Sequence, residues 1–144
     1  MTITVITSID APVAFCWQLW TNEDAILQFN NPFDDWHTAG VSIDFKEGGR
    51  YYYRMAAVDG STGFDFAGYY GRIINESLIA CKGDDGRTTI NEFESKGEQT
   101  IVREVFEPDA TTPLDLQQRF CQHILDSFKQ FAESEWKKRL PDRD

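Results

Sequence analysis

The feature that most constrains this chain is the stretch TTPLDLQQRFCQHILDSFKQFAESEWKKRL, residues 111–140, in which neither glycine nor proline interrupts the run from Leu114 to Leu140. Thr112 is placed to cap, Pro113 suits a first helical position, and Asp115 adds an acidic first turn. The stretch is therefore expected to form one helix of roughly 25 residues, about 37 Å long at 1.5 Å per residue. Cys121, Leu125, Phe128, Ala132 and Trp136 recur along it at helical spacing, and Ile124 and Phe131 widen the stripe. A stripe of that length must lie on an apolar surface. The WKKRL segment places cations at the helix end, where the helix dipole favours them.

The rest of the chain supplies a sheet for the stripe to lie on. From about residue 41 to 107 the hydrophobic period is mostly two, broken by turn signals at EGG, VDGSTG, INES, GDDGR and SKGEQ. That pattern predicts a meander of about six antiparallel strands. A further strand is expected at the N-terminus, where TITVITSI alternates through Ile3 and Val5 to Ile9 and is rich in β-branched residues. In DAPVAFCWQLW the period changes: Asp10 is placed to cap, Pro12 fits a first turn, and Val13, Cys16, Trp17 and Trp20 share a helical face. TNEDAILQF reads as a second short helix, entered through Thr21 and Asp24 at capping-box spacing. The order is strand, two short helices, six strands and a long closing helix. This is an α+β layout in one domain spanning 1–144.

Charge and cysteine usage exclude several function classes. The formal net charge is −10 with a pI near 4.6, which argues against nucleic acid and anionic membrane as partners, because both need clustered Lys and Arg. No segment approaches the run of about 18 apolar residues that spans a bilayer, and MTITVITSIDAP lacks the basic and apolar regions of a secretory signal. A soluble, cytoplasmic protein is expected. Cys16, Cys81 and Cys121 are odd in number and far apart, so they suggest neither a disulfide framework nor a zinc site and read as small buried thiols.

Catalytic patterns are sparse. The two histidines, His37 and His123, form no metal-binding spacing, and no nucleophile elbow, phosphate loop or dinucleotide motif occurs. GDDGRTTINE fails as a calcium loop, because aligning Gly86 with the loop glycine puts Cys81 and Gly83 at ligand positions. Asp65 and Glu92 are the one candidate pair of carboxylates facing each other across strands. No catalytic residue, metal or cofactor is assigned.

Four stretches carry a family resemblance: IDAPVAFCWQLWT at the first helix, EGGRYYYRM with its glycine pair, DGSTGFDFAGYYGRIINESLI with Gly68, Tyr70 and Ile73, and ILDSFKQFAE on the last helix. Taken in order, they resemble the AHSA1-like branch of the START/Bet v 1 (SRPBCC) superfamily. The resemblance implies a helix-grip fold, in which a curved antiparallel sheet of six or seven strands wraps around the long C-terminal helix over a cavity. Many members carry a Gly-Trp pair where this chain has Phe120 and Cys121. A smaller side chain at the second position enlarges such a cavity, while Phe120 fills part of it.

Strand parity turns the aromatic cluster into a candidate site. In GGRYYYRM, Tyr51, Tyr53 and Met55 share one face of the sheet, and Phe64, Phe66 and Tyr70 have matching parity on the next strand. Gly48 and Gly49 permit a turn or bulge, and Gly68 and Gly71 leave room where the sheet bends. Aromatics arrayed in this way form either a solid core or a pocket wall, and the resemblance favours the pocket. It implies a ligand site made of Trp17, Trp20, Tyr51, Tyr53, Met55, Phe64, Phe66, Tyr70, Phe93, Cys121, Leu125 and Phe128, holding a small hydrophobic or aromatic molecule. The same resemblance implies, as alternatives, a homodimer, a chaperone partner of Hsp90-activator type with a place in the stress response, or a cyclase-like or hydrolase-like enzyme. Fold by itself does not choose among them.

Overall fold

A computed structural model of the chain describes residues 1–140. Strand β1 (Ile3–Ile9) is followed by helices α1 (Val13–Trp20) and α2 (Glu23–Phe29). Six strands come next: β2 (Trp36–Ile43), β3 (Arg50–Ala57), β4 (Gly63–Ile74), β5 (Leu78–Gly83), β6 (Thr88–Lys96) and β7 (Gln99–Phe106). Helix α3 (Leu114–Arg139) closes the chain. All seven strands form one antiparallel sheet in the order β1-β7-β6-β5-β4-β3-β2. This is the curled sheet and long helix of a helix-grip fold, and each of the five expected turns joins two neighbouring strands of the meander.

Strand β2 begins five residues before the expected start of the meander. Its register with β3 shifts between Thr38 and Gly40, so Ala39 is an extra residue and the alternation breaks where a period of two was sought. The helix starts also differ from expectation. Pro12 and Pro113 occupy the N-cap positions themselves, without side-chain caps. Asp10 is therefore too far upstream to cap α1, and the Thr112 hydroxyl turns to Asp109 Oδ2, 2.8 Å away. In α2 the cap is Asn22, whose Oδ1 accepts the Ala25 N–H at 2.9 Å. The Thr21 hydroxyl instead donates to the Trp17 carbonyl at the end of α1.

Side chains of the helices, and of Asn31 just beyond α2, cover the two edges of the sheet. Along β1, Gln122 donates to the Ile6 carbonyl at 3.0 Å, Lys129 donates to the Ser8 carbonyl at 2.7 Å, and Glu133 accepts the Asp10 N–H at 2.8 Å. Along β2, Glu23 accepts the Ile43 N–H at 2.8 Å and Asn31 accepts the Thr38 N–H at 3.1 Å. These contacts satisfy backbone groups that an edge strand otherwise presents to any passing strand.

Helix α3 meets the concave face of the sheet in two unlike halves. Its C-terminal half is packed solid: Leu125, Phe128 and Ala132 are fully buried. The Phe128 ring lies edge-on to Trp20 at 4.9 Å and to Phe29 at 4.6 Å between centroids. Trp17 is edge-on to Phe93 at 5.2 Å, and Phe15 meets Trp136 at 5.0 Å. Each such side chain, fully removed from water, contributes about 1.5–3 kcal/mol. The N-terminal half of α3 faces a void.

Candidate functional site: a polar-ended aromatic cavity

The void is a cavity of about 720 Å³ between the sheet and the first turns of α3, well within the range of small-molecule sites, about 300–1,000 Å³. One wall comes from β3 and β4, where the register sets Tyr53 opposite Phe66, Met55 opposite Phe64 and Tyr51 opposite Gly68. The Tyr51 and Tyr53 rings each lie edge-on to Phe66, at 5.5 and 5.9 Å, a favoured arrangement of aromatic quadrupoles. Gly68 has a steric reason to be glycine, because a Cβ there stands 2.5 Å from the Tyr51 hydroxyl and closer still to the Lys82 carbonyl. Gly71 has none of that kind: a Cβ there makes ordinary contact with Ala80, and the residue falls where β4 shifts register against β5. Gly48, with φ of +83°, makes the turn into β3.

The expected site residues divide between cavity and core. Trp20, Tyr51, Tyr53, Met55, Phe64, Phe66, Tyr70 and Cys121 line the cavity. Trp17, Phe93, Leu125 and Phe128 do not; they belong to the buried aromatic and aliphatic core beyond Trp20. The reason is that α1 and α2 lie against the C-terminal half of α3 and supply the rings that fill it. Trp20 is the partition, with one side on Phe128 and the other on the void. Phe120 and Cys121 both line the cavity, and Phe120 also rests edge-on against Phe33 at 6.0 Å.

Residues that sequence reasoning passed over give the cavity a polar end. The inward row of β7 runs Thr100, Val102, Glu104, Phe106, and Thr100, Val102 and Phe106 are buried. Glu104 therefore points the same way, into the cavity. Directly opposite in the register lies Asn91 of β6, itself buried, whose Nδ2 donates to Glu104 Oε1 at 3.0 Å. Burial pushes the Glu104 carboxyl above its ordinary pKa, and hydrogen bonds from Asn91 and Cys121 only partly offset this. Burial also raises the Cys81 thiol to about 12 and, more strongly, the Cys121 thiol beside Glu104. The Tyr51, Tyr53 and Tyr70 phenols are raised by burial too, so at neutral pH all three are uncharged and able to donate.

Charged residues knit the mouth. Arg87 Nε donates to Asp85 Oδ2 at 2.7 Å. Asp109 accepts from the Thr111 N–H and from the hydroxyls of Thr111 and Thr112, each at 2.8 Å, and these bonds hold it down to a pKa of about 2. Gln117 braces the same loop through the Asp109 and Thr112 carbonyls.

The other candidates lie elsewhere. Asp65 is on the outer face of β4, bonded by Tyr52 at 2.7 Å and Arg54 at 3.0 Å. Glu92 is on β6, with β5 between the two strands, so they are not a pair. The His37 ring meets the Ala56 carbonyl, and His123 is exposed against Phe33. Among the described residues no three His, Cys, Asp or Glu side chains are grouped to hold a metal ion, and no helix is long and apolar enough to cross a membrane.

Comparison with known proteins places this architecture. Residues 10–133 match the family described as activator of Hsp90 ATPase homolog 1-like protein. A search of curated proteins finds no match. The chain is similar to the solution structure of an AHSA1-like protein from Aeromonas hydrophila, with 33% identity, 100% of each chain covered and a TM-score of 0.89. It is also similar to a solved protein of Cytophaga hutchinsonii, with 33% identity, 99% of each chain covered and a TM-score of 0.80. The Aha1 dimer of Colwellia psychrerythraea shares the fold at 18% identity and a TM-score of 0.71, over 92% of this chain and 96% of that one. From the family match over most of its length and these two full-length relatives, the chain belongs to the AHSA1-like family.

Proposed function

We propose that this protein binds a small apolar or aromatic molecule in the cavity between the sheet and the N-terminal half of α3. The observation that carries the reading is the division of α3: in one half Leu125, Phe128 and Ala132 pack into a closed core, while the other half faces about 720 Å³ of aromatic-walled space. A chain selected only for stability gains by filling such a space, since each missing methylene forfeits contacts. Polar groups at one end of the lining, among them Glu104, Asn91 and Thr89, together with the tyrosine hydroxyls of the wall, are the orienting handles of a small-molecule site.

Native mass spectrometry of freshly purified protein, joined to calorimetric titration with a naphthyl alcohol, tests this. Binding is expected in the wild type and is expected to weaken by at least about tenfold in Cys121→Trp, whose indole fills the space. His37→Ala and His123→Ala are expected to leave affinity within about tenfold. Absence of any retained or titrated apolar molecule, or equal binding by Cys121→Trp, overturns the reading. The family's name favours a second one, a chaperone-docking module. It predicts a complex with an Hsp90 protein that Cys121→Trp leaves intact.

A further inference from the structure

The ligand's chemical class can be read from what surrounds Glu104, an inference that rests on the ligand-binding reading above. We propose that the cavity takes an aromatic or alicyclic amine, with its ammonium against the Glu104 carboxylate and its hydrocarbon body against the tyrosine and phenylalanine wall of β3 and β4.

Glu104 is a carboxylate without a cation. It belongs to no ion pair among the described residues. The groups facing it are Tyr53 on β3, Cys81 on β5, Asn91 on β6 and Cys121 on α3, all uncharged at neutral pH. The cavity's own cation, Arg87, lies at the mouth and is already engaged by Asp85 and the Glu107 carbonyl. Asn91 occupies Oε1. A half-buried carboxylate in this setting carries a desolvation cost that a bound cation offsets.

Two further observations agree on the sign of the ligand. The mouth sets Asp85, Glu107 and Asp109 against Arg87 and the N-terminal ammonium near Glu107, on a chain of net charge −10, so the field still favours cations over anions. The wall is built from aromatic rings, Tyr51, Tyr53, Phe66 and Tyr70, whose π-systems suit an ammonium as well as an aromatic body. A neutral carbonyl ligand held by protonated Glu104 would use the aromatic wall but not the acidic mouth.

Matched titrations with naphthylethylamine and naphthylethanol separate the outcomes, using the wild type, Glu104→Gln and Cys121→Trp, each checked for fold by circular dichroism. The amine is expected to bind wild type at least about tenfold more tightly than the alcohol, and Glu104→Gln is expected to close that gap. As the pH falls through the raised titration of Glu104, amine binding should weaken while alcohol binding stays level. Equal binding of amine and alcohol by wild type, or a gap that survives Glu104→Gln, overturns the amine assignment and leaves the cavity reading standing. Alcohol binding that strengthens at low pH makes Glu104 a neutral donor and also overturns it. Amine binding unaffected by Cys121→Trp puts the amine on the acidic surface, and failure of both probes to bind overturns the amine assignment and the cavity reading together.

Discussion

Asn91 Nδ2 reaches Glu104 Oε1 at 3.0 Å across the β6–β7 pair, and the two face each other directly in the strand register. The amide is thus the principal protein partner of a half-buried carboxylate. Asn91→Leu removes it with little change of volume and should cost about 1–3 kcal/mol at neutral pH, measured by urea unfolding. The loss should shrink in acid, where the carboxyl is protonated and needs less support. A loss of the same size at every pH would mean that packing, not the hydrogen bond, is what Asn91 supplies.

Glu104 also gives stability a definite pH trend. Its folded pKa lies above its unfolded value, for which 4.5 is the reference. Between those two values the folded state holds the proton more tightly, so stability falls as pH rises through the window. Glu104→Gln, which never ionises, should be more stable than wild type at pH 7, and the difference should fade below the unfolded pKa. Thermal melts across that range decide it. A variant less stable than wild type at neutral pH contradicts the burial argument.

The division between core and cavity predicts losses of very different size from the same kind of truncation. Phe128→Ala empties a fully buried site between Trp20 and Phe29 and should cost about 3–5 kcal/mol. Phe66→Ala removes a ring that already faces the cavity and is 41% exposed, so it should cost less than about 1.5 kcal/mol while weakening ligand binding. Urea unfolding of the two variants side by side checks the contrast.

Two glycines on one strand should tolerate alanine very differently. Gly68→Ala drives a methyl into the Tyr51 hydroxyl and the Lys82 carbonyl and should cost about 1–3 kcal/mol. Gly71→Ala meets only ordinary contacts with Ala80 and should be near neutral. Equal melting temperatures for the two variants would show that the strand relaxes around Tyr51.

At the start of α2, Asn22→Ala should cost about 1 kcal/mol through the lost cap, whereas Thr21→Ala leaves that cap in place and should cost less. Chemical denaturation of both variants distinguishes the capping residue from its neighbour.

The architecture was legible because its signals are local. Turn residues such as GDDGR punctuate the meander, and the run from Leu114 to Leu140 has no breaker. What escaped depends on partners distant in sequence. The stripe on α3 shows which face is apolar. It does not show that Trp20 and Phe29 fill the space beside Phe128 while nothing comparable fills the space beside Cys121. The caps were displaced by one or two positions because Pro12 and Pro113 took the N-cap place. Glu104 was missed because an alternating strand was read for its hydrophobic members. The row Thr100, Val102, Glu104, Phe106 carried the signal all along, as a charge on the side where Val102 and Phe106 face inward, opposite Asn91 in the neighbouring inward row.

The sheet order has a consequence for how the molecule is made. Ile3–Ile9 pairs with Gln99–Phe106, Ile3 facing Phe106 and Ile9 facing Thr100. Synthesis runs from the N-terminus, so β1 leaves the ribosome before the whole meander and waits until its end for β7, its neighbour. Helix α3, which covers the other side of that strand, arrives later still. During this interval β1 and the apolar face of α1 stand uncovered, open to pairing with other chains before the sheet is complete.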